Sequence, residues 1–208
     1  MTIRVVLATH NQHKVEEFQA LLGESLPDLE IVAYDGPEPV EDGVTFAENA
    51  LIKARAAAAH TGLPALADDS GLCIDVLNGA PGIFSARWAG HGRGDAANRD
   101  LLLDQLGDVL DEHRGAAFAC TIALVVPEPG GTDAPAVEET VEGLWRGRLA
   151  RRASGSNGFG YDPLFIPHGL AVTAAELSPA EKNAISHRAI ALAAAVPVLR
   201  RAFEATTS

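Results

Sequence analysis

Residues 3–8, Ile-Arg-Val-Val-Leu-Ala, have the apolar character of a buried strand. They pass directly into the polar run Thr9-His10-Asn11-Gln12-His13-Lys14, and Val15, Phe18, Leu21 and Leu22 then recur at helical spacing. Strand, tight loop and helix within so short a span point to an α/β chain. The rest of the sequence repeats the theme. Residues 31–34 form a short second strand and residues 35–43, rich in Pro and Gly, a loop. Thr45-Phe46-Ala47-Glu48 has capping-box spacing and opens an Ala-rich helix to about His60. Residues 63–67 lead into Asp68-Asp69-Ser70-Gly71, which places the two aspartates at a strand end, and residues 72–77 form a further strand. Residues 95–106 read as a helix, and residues 116–126 and 137–149 as partner strands joined by a hairpin tip at 128–136. Ser178-Pro179-Ala180-Glu181 combines an N-cap, Pro at the first helical position and Glu at the third. The helix it starts is expected to reach Phe203 with a kink or break near Pro197. No repeat or linker divides the chain, so residues 1–208 are expected to form a single domain.

The formal net charge of −12 argues against binding a long nucleic acid, because duplex recognition needs Lys and Arg to neutralise phosphates. A small polyanion can still bind an acidic protein where a few cations, a helix N-terminus and a metal meet. No apolar run reaches membrane-spanning length and none resembles a signal peptide, so the expected location is the cytoplasm. Cys73 and Cys120 both sit in apolar stretches, which suits buried, inert thiols.

Four segments have the residue types that phosphate chemistry requires. A helix opening straight after a strand offers unpaired N–H groups, and Thr9, Asn11 and Lys14 add two neutral polar groups and a cation. A capping turn with a solvated lysine would carry the same residues. One of Asp68 and Asp69 is suited to hold Mg²⁺ or to orient a water, since adjacent strand residues face opposite ways. An Asp-rich turn capping its own backbone is the alternative. Glu41 and Asp42 add acidity before the Ala-rich helix, whereas Glu48 is accounted for by the capping box and Lys53 by a solvated helical face. Gly158-Phe159-Gly160-Tyr161-Asp162-Pro163 sets two rings among glycines, which fits either base stacking or a tight turn folded into the core. Lys182 and Ser186 share a helical face, with His187 and Arg188 following.

Taken in order, these segments resemble the inosine/xanthosine triphosphate pyrophosphatase family of house-cleaning nucleotide enzymes. Leu7 to Lys14 is similar to the family's Ser/Thr-x-Asn-x-x-Lys motif, and Gly43 to Ala50 and Ala67 to Leu72 to its central signatures. Gly79 to Arg87, Gly158 to Pro163 and Ser186-His187-Arg188 complete the set. The resemblance implies two α/β lobes around a long mixed sheet, with the active site in the cleft, and a homodimer. It implies hydrolysis of non-standard purine triphosphates (ITP, dITP, XTP) to the monophosphate and pyrophosphate, with Mg²⁺ as cofactor. Asp69 would be the general base and a metal ligand. Thr9, His10, Asn11, Gln12, His13 and Lys14 would grip the triphosphate. Ser70, Phe159, Gly160, Tyr161, Asp162, Lys182, His187 and Arg188 would complete the substrate site. Many relatives carry two consecutive glutamates in this loop, where the run here is Val40-Glu41-Asp42; a metal glutamate at the first place of that pair would be missing from this chain, and Glu41 is taken as a metal ligand second to Asp69. A nucleotide-binding regulator without catalysis, or an enzyme for modified pyrimidine nucleotides, would share parts of this pattern.

Overall fold

The computed structural model describes residues 2–128 and 135–206; residues 129–134 of the expected hairpin tip and the side chain of His13 lie outside the described residues. The chain runs β1 (Ile3–Leu7), α1 (Gln12–Gly23), β2 (Leu29–Ala33), α2 (Phe46–Thr61), β3 (Ala65–Ile74) and α3 (Gly94–Gln105). It continues as β4 (Gly115–Val126), β5 (Val137–Leu149), β6 (Phe165–Pro167), α4 (Pro179–Ile185) and α5 (His187–Thr206). The strands form one six-stranded sheet in the order β2-β1-β3-β4-β5-β6. β1 is parallel to β2 and β3, and β5 is antiparallel to β6, so the sheet is mixed, as expected.

Two compact units share these elements. The first comprises Met1–Asp69, Cys120–Gly143 and Ile190–Ser208, and the second Ser70–Ala119 and Leu144–Ala189. In the first unit, the period-two alternation of strands decides which helix each residue meets. Val5, Leu7 and Leu66 pack with Val15, Phe18 and Leu22 of α1 and with Leu192 and Leu199 of α5. Val6, Ala65 and Ala67 face the other way, onto Ala50, Ala54 and Ala57 of α2. The small side chains of α2 suit close approach to the sheet. The second unit has its own core, in which Leu72 and Ile74 of β3 meet Leu102 and Leu106, Phe118, Trp145 and Phe165.

Two local expectations are corrected. β3 does not stop before the aspartates: it runs unbroken from Ala65 to Ile74, with Asp68 and Asp69 inside it. Flanking apolar residues on both faces, Ala65 to Ala67 and Leu72, are fully buried and hold the strand through its polar middle. The last helix runs on through Pro197 and is interrupted instead at Ser186, whose backbone is extended (φ −69°, ψ 162°). Ser186 Oγ accepts the N–H of Ala189 at 3.2 Å and so caps α5. Pro197 lies on the exposed face of α5, while Leu192, Ala195, Val198 and Leu199 bury the opposite one. There water can satisfy the carbonyl that the proline leaves unbonded.

Candidate active site

The alternation that sorts the apolar residues of β3 also separates Asp68 from Asp69. Asp68 follows the register of Leu66 towards α1, and its Oδ1 accepts from Lys14 Nζ at 2.6 Å. Asp69 follows Ala67 towards α2. There its Oδ2 accepts from Asn49 Nδ2 at 3.2 Å and its Oδ1 lies 3.4 Å from Lys53 Nζ. Lys53 Nζ also stands 3.3 Å from Glu41 Oε1, so one ammonium is shared by two carboxylates. Burial pushes the Asp69 carboxyl above its ordinary range; Lys53 and Asn49 oppose the rise, and Glu41 adds to it. Asp69 retains 16% of its side chain exposed, enough to meet a water.

Helix α2 is placed to do this by its own first turn. Thr45 Oγ1 caps the Glu48 N–H at 3.1 Å, and the Glu48 carboxylate reaches back to the Val44 N–H at 2.6 Å. Gly43 donates its N–H to Asn49 Oδ1 at 3.0 Å, so Asn49, nearly fully buried, joins the acidic loop to Asp69. A Cβ on Gly43 would stand 2.7 Å from that same Oδ1, which leaves room only for glycine. Asn49 and Lys53 are four apart on one face. Sequence reasoning assigned Lys53 to solvent and gave Asn49 no role, and no local signal marks either, because their partner Asp69 lies 16 and 20 positions away respectively.

The loop after β1 is similarly self-ordered. Thr9 Oγ1 accepts the Asn11 N–H at 3.2 Å, and Asn11 Oδ1 accepts the Lys14 N–H at 3.4 Å. His10 turns to the acidic loop: its Nε2 lies 2.9 Å from the Gly36 carbonyl and its Nδ1 3.2 Å from Glu38, while its ring stacks on Tyr34. Thr9, His10, Lys14, Glu41, Lys53 and Asp68 line a polar cavity of about 200 Å³ within the first unit. Asn11 and Gln12 are exposed and do not line it.

The second unit holds an aromatic cavity of about 130 Å³. Ser70, Phe159, Gly160, Tyr161, Asp162, Lys182 and His187 line it, joined by Ser85, Asp95 and Phe118, which sequence reasoning did not single out. Asp162, almost fully buried, accepts the Phe159 N–H at 2.9 Å and is ion-paired with Lys182. Gly158 has φ +74°, and a Cβ there would collide with the Asp162 carboxylate, so glycine is required twice over. Lys182 Nζ stands 5.0 Å from the centroid of the Phe159 ring, a cation–π contact, and that ring is 65% exposed. Tyr161 is the buried ring of the pair. Its hydroxyl donates to the Ser85 carbonyl at 3.0 Å, and burial raises its pKa far above the usual value. Ser85 Oγ in turn accepts the Leu72 N–H at 2.9 Å and donates to the Gly82 carbonyl, so the segment 79–87 builds the wall of this cavity. His187 stacks on Phe118 at 5.0 Å. Arg188 is half-buried and lines neither cavity.

Asp69 lines neither cavity, but together with Glu41, which lines the first, it fits a divalent cation. Mg²⁺ is commonly held by one or two carboxylates plus water and phosphate oxygens, and Asp69 and Glu41 converge on a single point charge, Lys53. No cluster of three or more His, Cys, Asp or Glu suited to a metal occurs among the described residues, which is not the arrangement of an all-protein metal cage.

Comparison with known proteins adds the ancestry of this framework. The sequence model described as the Ham1 family matches residues 5–198. A dITP/XTP pyrophosphatase of Leifsonia xyli is 63% identical over 199 residues, covering 95% of this chain and 96% of that protein. One from Streptomyces coelicolor is 55% identical over 201 residues, covering 95% and 97%. Among solved structures, a HAM1 protein from Coxiella burnetii is similar at a TM-score of 0.85 and 46% identity, covering 96% of this chain and all of that one. A nucleoside-triphosphatase, or dITP/XTP pyrophosphatase, from Mycobacterium abscessus gives 0.77 at 49% identity, covering 95% of this chain and 100% of that one.

Proposed function

The chain belongs to the Ham1 family, and from that premise we propose that it hydrolyses non-standard purine nucleoside triphosphates to the monophosphate and pyrophosphate. The observation that carries the reading is the divided aspartate pair. One carboxylate is spent on a cation of the phosphate loop, and the other is kept partly desolvated and raised in pKa beside a shared lysine. A raised carboxyl pKa is what a general base working near neutrality needs.

In this mechanism Asp69 takes a proton from the attacking water. The water oxygen bonds to the α-phosphorus, the bond from that phosphorus to the bridging oxygen breaks, and pyrophosphate departs. Asp69 and Glu41 would hold Mg²⁺, which supplies charge neutralisation for the leaving group when bound. Asn49 and Lys53 orient Asp69. Lys14 and the first-turn N–H groups of α1 take the phosphate oxygens. The aromatic cavity receives the base: the exposed Phe159 ring offers a stacking face, and Lys182 fits the keto oxygen at purine position 6 because an ammonium only donates. An amino group at that position would meet the wrong partner. Arg188 and Gln12 remain assigned to the substrate by resemblance alone. We propose further that the enzyme is a cytoplasmic homodimer. Val40 and Val44, each more than three-quarters exposed, are suited to cover by a second copy.

The test is a panel of ITP, dITP, XTP, ATP, GTP and modified pyrimidine triphosphates, with pyrophosphate release measured at fixed Mg²⁺. The expected result is the highest kcat/KM for the inosine and xanthosine nucleotides. Binding without pyrophosphate release would support a non-catalytic regulator instead, and a preference for pyrimidines would reassign the substrate.

A further inference from the structure

Two side chains of α3 grip a single residue of the aromatic cavity, Gly160, by the two peptide groups that flank its Cα. Asp95 Oδ2 accepts the Gly160 N–H at 2.7 Å, and Arg99 Nη1 donates to the Gly160 carbonyl at 2.7 Å. Four residues apart, Asp95 and Arg99 share one helix face. Both bonds use a charged partner, the stronger and more directional kind. The residue they hold belongs to a loop without regular structure, in which Gly158 and Gly160 have φ of +74° and +58°. Between those glycines stands Phe159, 65% exposed and therefore without a core to fix its plane. Asp162 secures the loop on one side of the ring through the Phe159 N–H. On the other side the Phe159 carbonyl accepts the Asp162 N–H at 3.1 Å and Tyr161 is anchored to the Ser85 carbonyl, while the contacts to Gly160 fix the residue directly after the ring.

We propose that Asp95 and Arg99 are positioning residues that hold the Phe159 ring at the angle at which it stacks on the purine base. The inference rests on the aromatic cavity being the base site. Neither side chain needs to touch the substrate; both act through the backbone of Gly160. Nothing in the local sequence announces this, because the partner of each residue is more than 60 positions away.

The experiment compares Arg99→Met and Asp95→Ala with the conservative Arg99→Lys and Asp95→Asn, each alone and in a Phe159→Ala background. Readouts are KM and kcat for ITP and inhibition by inorganic tripolyphosphate, a probe that has phosphates but no base. Arg99→Met and Asp95→Ala are expected to raise KM about tenfold, to change kcat less than about threefold and to leave tripolyphosphate inhibition unaltered. Arg99→Lys and Asp95→Asn, which keep a donor and an acceptor, are expected to recover most of the loss. In the Phe159→Ala background, Arg99→Met is expected to add nothing, since the ring it positions is gone. An unchanged KM, an equal weakening of tripolyphosphate, or full additivity with Phe159→Ala would overturn the positioning role while leaving the proposed function standing. A wild-type chain that releases no pyrophosphate from ITP would overturn both.

Discussion

At the scale of single residues, Asp69 combines two demands that pull apart. Its carboxyl is raised above the ordinary range first by burial, so the folded chain binds that proton more tightly than the unfolded chain does. The stability this contributes is present at low pH and is lost as pH rises through the raised value. At neutral pH the ionised group therefore works against the fold. Asp69→Asn should lower kcat by at least ~10², yet unfold at an equal or higher temperature at pH 7, an advantage that shrinks as the pH is lowered. Thermal melts beside turnover at each pH check both halves. Lys53 is the largest influence holding the Asp69 pKa down. Lys53→Met should therefore move the acidic limb of the kcat/KM profile to higher pH, because the base then ionises later. A limb that stays in place would remove Lys53 from the acid–base chemistry and leave it a purely structural cation.

At the scale of elements, local chemistry sets α2 and long-range contacts set the rest of the site. Both ends of α2 were legible: Thr45 caps the start, and Gly62 closes the end in the left-handed conformation (φ 67°). Thr45→Ala should cost about 1 kcal/mol of stability, measured by denaturant unfolding. It should also lower activity, since the same turn aims Asn49 and Lys53. The bounds of β5 were read correctly, as the partner strand of residues 116–126. The course of β3 was not, because Asp and Ser-Gly are poor strand formers on their own and only the apolar residues flanking them carry the strand through. Proline drew the expected break to position 197, although the capping serine at 186 makes the actual one. The candidate site follows the same division. The phosphate loop, the aspartates and the Gly-Phe-Gly-Tyr-Asp run were visible as motifs. Asn49, Lys53, Asp95 and Arg99 were not, since an ordinary helical residue takes on a role only through a partner distant in sequence.

At the scale of the whole chain, each unit carries its own core and its own cavity. The second unit is held at its base by Arg114, 2% exposed, which donates to the carbonyls of Leu106, Leu149 and Ala150. Arg114→Met fills similar volume but strands three acceptors, two of them in buried hydrogen bonds, at a cost of about 3 kcal/mol. The denaturant midpoint should fall, and hydrogen exchange should quicken chiefly in residues 70–119 and 144–189. Uniform quickening over the whole chain would show that the two units unfold as one. The polar cavity of the first unit has a different kind of balance. Its lysines and carboxylates already neutralise each other, Lys14 with Asp68 and Lys53 with Glu41, and Lys53 pairs besides with Asp69, which stands outside the lining. A bare polyanion that drew those lysines away would leave carboxylates uncompensated. A ligand arriving with its own divalent cation exchanges partners on both sides at once. Affinity for the polyphosphate and affinity for the cation are then linked and must strengthen each other by the same factor, so the resting ion pairs act as a coincidence gate.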